Sequence, residues 1–221
     1  EQHYHRAISQ DFGWTAAAFT DVGTVRKINE DDYMSNSPQA HWAVADGMGG
    51  HDKGDVASQS ISVALKVLEQ PAEFTHFVDN IEDSLIAVNQ KLQDLAGDGD
   101  SLIGSTVAGL ALHQQHALYY WAGDSRIYRL RNKKLSQLSI DHTFTQELVD
   151  QGKLSLDEVA SHPNKNVITR AVGADYELFV DFEMTAIQAD DLFFICSDGI
   201  EKEMSDEQVQ ALQNQHRDDL D

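Results

Sequence analysis

Cysteine, proline and positive charge are what this chain of 221 residues has least of, and each scarcity excludes something. Cys196 is the single cysteine, so no intrachain disulfide can form, which fits a reducing cytoplasm. Against 37 Asp and Glu there are only 16 Lys and Arg, giving a formal net charge of −21. A field this negative repels phosphate backbones, which argues against nucleic-acid binding by counterion release and against a basic helix lying on a membrane. No apolar run reaches the ~18 residues that would span a bilayer. The opening Glu1-Gln2-His3-Tyr4-His5-Arg6 lacks the cationic and then apolar pattern of a signal peptide. With three prolines and no Ser/Gly/Pro-rich stretch there is no interdomain linker and no internal repeat, so residues 1–221 are expected to form one domain.

What is present is a change of hydrophobic period along the chain. Strand-like runs cover residues 14–20, 32–36 and 41–45, with a Ser37-Pro38 turn and then a Gly-rich loop. Apolar residues then recur at helical spacing over 56–68 and again over 77–95, with Pro71 between the two helices. Strands resume over 106–112, 117–122, 126–130 and 135–138, joined by polar loops of hairpin length. Residues 143–160 read as two helical turns broken near Gly152. Further strands are expected over 178–184 and 192–197, the second almost wholly apolar and therefore buried. Ser205-Asp206-Glu207-Gln208 is a capping box that starts a last helix. The lack of strict strand-helix alternation predicts an α+β fold with antiparallel sheets rather than a doubly wound parallel sheet.

The acids that follow strands are the candidates for chemistry. Asp46-Gly47 follows the run ending at Ala45, and Asp198-Gly199 follows the run ending at Ser197. One Asp-Gly is more often a plain turn. Two of them, together with Asn29-Glu30-Asp31 and Gly123-Asp124-Ser125, suggest carboxylates converging from separate strand ends. Such acids repel one another unless hard cations such as Mg²⁺ or Mn²⁺ sit among them. The bland alternative is a solvated acidic surface. Zinc fits poorly, because one cysteine and scattered histidines make no tight ligand spacing. No G-x-x-x-x-G-K-[ST] loop is present, and the residue six places after Cys196 is Lys202 rather than the arginine of a cysteine-phosphatase cradle. Cys196 therefore reads as a buried structural thiol.

Six segments in order resemble the metal-dependent protein Ser/Thr phosphatases of the protein phosphatase 2C family in their compact bacterial form. They are residues 20–31, Val44-Ala45-Asp46-Gly47-Met48-Gly49-Gly50-His51, Gly104-Ser105-Thr106, Ala122-Gly123-Asp124-Ser125-Arg126, residues 166–173 and Cys196-Ser197-Asp198-Gly199-Ile200. The resemblance implies a four-layer α-β-β-α sandwich, two antiparallel β-sheets flanked by helix pairs, with two Mn²⁺ or Mg²⁺ ions at one end and a third, weaker site. It makes Asp46 the bridging ligand, the Gly47 carbonyl and Asp198 ligands of single metals, and Glu30 and Asp31 direct or water-mediated ligands. Asp124 and Asp198 match the third site, Arg26 matches the arginine that binds substrate phosphate, and His51 falls where a proton donor has been proposed. The implied reaction is in-line attack of a metal-bridging hydroxide on phosphoSer or phosphoThr in proteins, reversing a bacterial Ser/Thr kinase. The segment 143–163 occupies the place of the family's variable flap, where specificity is expected to reside.

One departure stands out: the family closes with a further helix and a strand bearing an Asp-Asn pair, and none follows Asp198. The chain is therefore expected to be a catalytic domain truncated at its C-terminus, monomeric and cytoplasmic. The competing reading is a pseudo-phosphatase or regulatory module that binds phosphoproteins without turnover.

Overall fold

The computed structural model describes residues 5–8 (backbone only), 13–24, 26–49, 53–97 and 102–216. Its centre is a large antiparallel sheet of β3 (Asp31–Asn36), β4 (His41–Gly49), β6 (Val107–His113), β7 (His116–Ala122) and β10 (Asp181–Ala186). The order is β10-β7-β6-β4-β3, and the short β5 (Ile103–Ser105) pairs with the far end of β4. A second antiparallel sheet has the order β11-β8-β9, from β8 (Arg126–Arg131), β9 (Lys134–Gln137) and β11 (Leu192–Cys196). A separate hairpin of β1 (His5–Ile8) and β2 (Gly13–Ala16) sets Trp14 edge-on against Trp42, ring centroids 5.0 Å apart.

The layers follow from period-two alternation in strands covered on both faces. In β6, Val107 and Ala111 join one core while Ala108 and Leu110 join another; in β7, Leu118, Tyr120 and Ala122 part in the same way from Ala117, Tyr119 and Trp121. The first core lies under the helix pair α1 (Gly54–Lys66) and α2 (Phe74–Ala96), which buries Ile61, Leu65, Phe77, Ile81, Leu85 and Leu92. The second core lies between the sheets, where Ile127, Phe193 and Ile195 meet Trp42 and Leu110. The outer face of the small sheet carries the one-turn α5 (Asp198–Glu201) and α6 (Asp206–Gln215), whose Gln210 side chain accepts a hydrogen bond from the Leu135 amide. This is the expected α+β sandwich of two antiparallel sheets with helices outside.

Several boundaries differ from the sequence reading. The first predicted strand stops at Ala16, and residues 17–24 run without regular structure. The strand expected to end at Ala45 continues to Gly49, because Gly47, Met48 and Gly49 find partners in β5, a three-residue strand too short to stand out in the sequence. The strand expected from 178 begins at Asp181. β11 is half-buried rather than buried, with only Cys196 below a tenth exposed. It lies at the edge of its sheet among the described residues, so apolar content alone overstated its cover. The helices, the hairpin strands, the broken segment 144–159 and the Ser205 capping box lie where expected.

Candidate active site

The even positions of β4 place Trp42, Val44 and Asp46 on the face toward the second sheet, while Ala43 and Ala45 pack under the helices. Asp46 therefore sits at one end of the inter-sheet layer. Its register partner across β3 is Asp31, so two acids stand side by side on neighbouring strands. Opposite carboxylates in a ladder repel, and nothing in sheet formation favours the pair. The second sheet supplies Asp198 directly after β11, and Ser197 Oγ donates to Asp31 Oδ2 at 2.7 Å, joining the sheets across the site. Asp124 follows β7 through Gly123, whose φ of +119° and contact with Thr106 leave no room for a side chain.

The backbone of Asp46 is held on both sides. Its amide donates to Thr106 Oγ1 at 3.1 Å, and its carbonyl accepts from the Thr106 amide at 2.9 Å and Ser105 Oγ at 3.0 Å. Thr106 Oγ1 in turn shares a 2.6 Å hydrogen bond with Ser125 Oγ, beside Asp124. Gly47 donates to the Glu30 carbonyl at 3.0 Å, bringing the 26–30 loop onto the strand. A Cβ placed on Gly54 would lie 2.9 Å from the Gly47 carbonyl oxygen and 2.5 Å from Glu30 Oε1. Those two oxygens converge on one small cradle that only glycine at 54 leaves open.

The electrostatics are out of balance. Burial, followed by the Asp31 and Asp198 charges, pushes the Asp46 carboxyl up to about 8. Burial and the Asp198 charge push Asp124 up to about 6, and Asp124 Oδ1 is buried without a hydrogen-bond partner. Lys202, ion-paired with Asp198, is a cation that faces this group. Oxygen-rich, mutually repelling and partly unsatisfied, the donor set fits Mg²⁺ or Mn²⁺. Among the described residues, no three acidic, histidine or cysteine side chains are already drawn into one tight ligand group. The acids are instead spread around the end of the inter-sheet layer.

A cleft of about 1680 Å³ opens there, lined in part by Arg26, Glu30, Asp31, Asp46, Gly47 and Asp198. Asp124 is 7% exposed and lies outside that lining. Arg26 sits at the rim with its side chain 73% exposed, its Nη1 donating to Glu30 Oε2 at 2.9 Å. His51 falls outside the described residues. Thus six of the expected site residues, Glu30, Asp31, Asp46, Gly47, Asp124 and Asp198, meet at one end of the sandwich, with Arg26 beside them. Sequence reasoning gave no site role to Thr106, Ser197 or Lys202. The last had a local signal, since an acid and a lysine four apart pair on a helical turn.

Cys196 is 7% exposed, and burial pushes its thiol up to about 12, so it is no nucleophile at neutral pH. The segment after β9 forms α3 (Phe144–Asp150) and α4 (Leu156–Val159), anchored where the Phe144 amide meets the Val167 carbonyl.

The chain belongs to the protein phosphatase 2C family, whose sequence profile matches residues 24–218. It is 37% identical over 205 residues to the serine/threonine protein phosphatase PstP of Mycobacterium tuberculosis, a match covering 89% of this chain and 38% of PstP. The chain thus spans well under half the length of that relative. Its fold matches that of PppA, a key regulatory component of T6SS in Pseudomonas aeruginosa, with a TM-score of 0.80 at 37% identity, covering 88% of this chain and 81% of PppA. It also matches the catalytic domain of PstP in complex with two manganese ions, with a TM-score of 0.75 at 27% identity, covering 96% and 84% of the two chains.

Proposed function

We propose that this chain is a Mn²⁺- or Mg²⁺-dependent catalytic domain that hydrolyses phosphoSer and phosphoThr in proteins, acting on the products of a bacterial Ser/Thr kinase. The observation that carries this reading is the surplus of partly buried acid: Asp46 opposite Asp31, with Asp124 and Asp198 adding charge and Asp124 Oδ1 unsatisfied. An acid surplus of this kind costs stability, and a phosphoprotein-binding module without turnover has no use for it.

Asp46, the Gly47 carbonyl and Asp198 are the residues we assign to hold two cations, with Glu30 and Asp31 ligating directly or through water and Asp124 with Asp198 holding a third. Bound there, the cations supply Lewis-acid activation of water and neutralise charge at phosphorus. Thr106 and Ser105 fix the Asp46 backbone, and Ser197 fixes the Asp31 carboxylate, so the oxygens need little reorganisation on binding. Arg26 is assigned to the substrate phosphate: a guanidinium at the rim can exchange Glu30 for two phosphate oxygens in bidentate geometry. His51 remains our candidate for protonating the leaving oxygen. Selection among phosphoproteins is assigned to the segment 143–163, which matches the family's variable flap in sequence position.

The test is hydrolysis of phosphoSer and phosphoThr peptides by the purified chain. Turnover is expected with Mn²⁺ or Mg²⁺, to vanish in EDTA, and to survive Cys196→Ser. Activity undiminished by EDTA, or lost in a folded Cys196→Ser chain, would sink the metal mechanism.

A further inference from the structure

The carboxylate group is not wholly without counter-charge. Lys202 ends α5, one helical turn after Asp198, and its Nζ forms an ion pair with Asp198 Oδ2. The ammonium faces Asp46 and Asp124 as well. Partial burial works against its charge, yet the hydrogen bond to Asp198 and the charges of these three acids hold the lysine above its ordinary range. Its side chain is 54% exposed, so the ammonium has open solvent on one side.

A surface ion pair four residues apart is ordinarily a minor helix stabiliser. Two observations separate this pair from that case. The acid it holds belongs to the buried cluster, and the balance it provides is incomplete, because Asp124 Oδ1 stays without a partner. One monovalent ammonium on a flexible stem can neutralise one carboxylate, whereas a divalent cation carries twice the charge and gathers several oxygens at once. A divalent cation held by Asp198 would compete with the lysine for that carboxylate and would be repelled by the nearby ammonium.

We infer that Lys202 is an internal counter-ion that competes with divalent cations for Asp198, setting cation affinity against the stability of the cation-free fold. The inference rests on the metal reading above. Removing the ammonium leaves the acids less balanced when no cation is bound, and leaves a more negative site for the cation to enter.

The test uses the whole chain of 221 residues, stripped with EDTA, dialysed, and titrated with MnCl₂ by calorimetry. Thermal midpoints are measured in EDTA and at saturating Mn²⁺. Lys202→Met is expected to bind Mn²⁺ roughly 3- to 10-fold more tightly, the size of one nearby unit charge at high effective dielectric. Its midpoint in EDTA falls below that of the wild type, and saturating Mn²⁺ closes the gap. Lys202→Arg keeps the charge and stays near the wild type in both measurements. Lys202→Gln, polar and uncharged, replaces Lys202→Met if the latter does not fold. Equal or weaker Mn²⁺ binding by the uncharged variants overturns the counter-ion role while leaving the metal reading intact. A wild-type chain with no saturable Mn²⁺ binding overturns both.

Discussion

Two groups of acids lie within a few residues of each other and are treated in opposite ways. Around Arg126 the carboxylates are paired. Its Nε donates to Asp141 Oδ1 at 2.9 Å, Nη2 reaches Asp141 Oδ2, and Nη1 pairs with Glu201 and contacts the Tyr128 hydroxyl, which donates to Asp206 at 3.1 Å. Arg131 does the same for Asp191, whose side chain is 1% exposed; burial opposes its charge, but the guanidinium hydrogen bond holds its carboxyl below the usual range. Around Asp46 burial is comparable, yet the acids face each other, with the Lys202 ammonium as their counter-charge. The fold thus gives guanidinium partners to Asp141, Glu201 and Asp191, while at the cluster the Arg26 guanidinium reaches Glu30 at the rim and not Asp46 or Asp31. Asp141 and Asp191 are neutralised within the chain, whereas Glu201, although it touches Arg126, is pushed up to about 7 by burial and neighbouring acids and stands between the two groups. A cluster left short of counter-charge is what the proposed cation site requires.

The hardest test of that contrast is to remove one member of each group. Asp46→Asn should lower phosphopeptide turnover by ~1000-fold or more, as loss of a central electrostatic group does, while circular dichroism shows the fold intact. A folded Asp46→Asn chain with near-normal turnover would erase the functional half of the comparison. Arg126→Met should act in the other direction, costing ~3 kcal/mol of stability by stranding Asp141 and Glu201, as read from the denaturant midpoint. A chain that tolerates Arg126→Met without loss would show that the paired group is not structural.

A smaller effect concerns pH. In the folded chain Asp46 and Asp124, at about 8 and about 6, keep protons that an unfolded chain has released above pH ~4. Their contribution is whole below pH ~4 and is lost as pH climbs through those folded values. Asp191 has the reverse slope, contributing above its unfolded value and losing that contribution as pH falls through its lowered one. Buried His41, lowered to about 3, and His142, lowered by burial as well, give stability that grows as pH rises to about 6.5. In EDTA the thermal midpoint should therefore decline between pH ~6.5 and 8, and Asp46→Asn should flatten the decline. A wild-type midpoint that rises across this range would remove the electrostatic basis of the contrast.

Much of this was legible in the sequence, and the rest failed for identifiable reasons. Helical period marked α1 and α2, and Ser205 with Gln208 marked the start of α6, because amphipathicity and capping are local patterns. The extension of β4 through Gly47 and Gly49 was not legible, since its strand character comes from β5, more than fifty residues away. The same holds for β11, whose residues are apolar enough for a core but lie at a sheet edge. Asp46, Asp124 and Asp198 stand out beside glycines, whereas Lys202 carries no signal beyond its spacing of four from Asp198, and its contact with that acid is seen only in the structure.

By itself the sequence marked which acids follow strands beside glycines, the alternation that gives two buried faces to the central strands, and the excess of negative charge. Those are properties of residue type and local spacing. Only the tertiary structure decided that Asp31 stands opposite Asp46, that Ser197 bridges the two sheets, and that the guanidinium groups of Arg126 and Arg131 go to other acids. Register and sheet stacking bring together groups up to 166 residues apart, and the energy of a charge depends on which neighbours and how much water that assembly leaves around it.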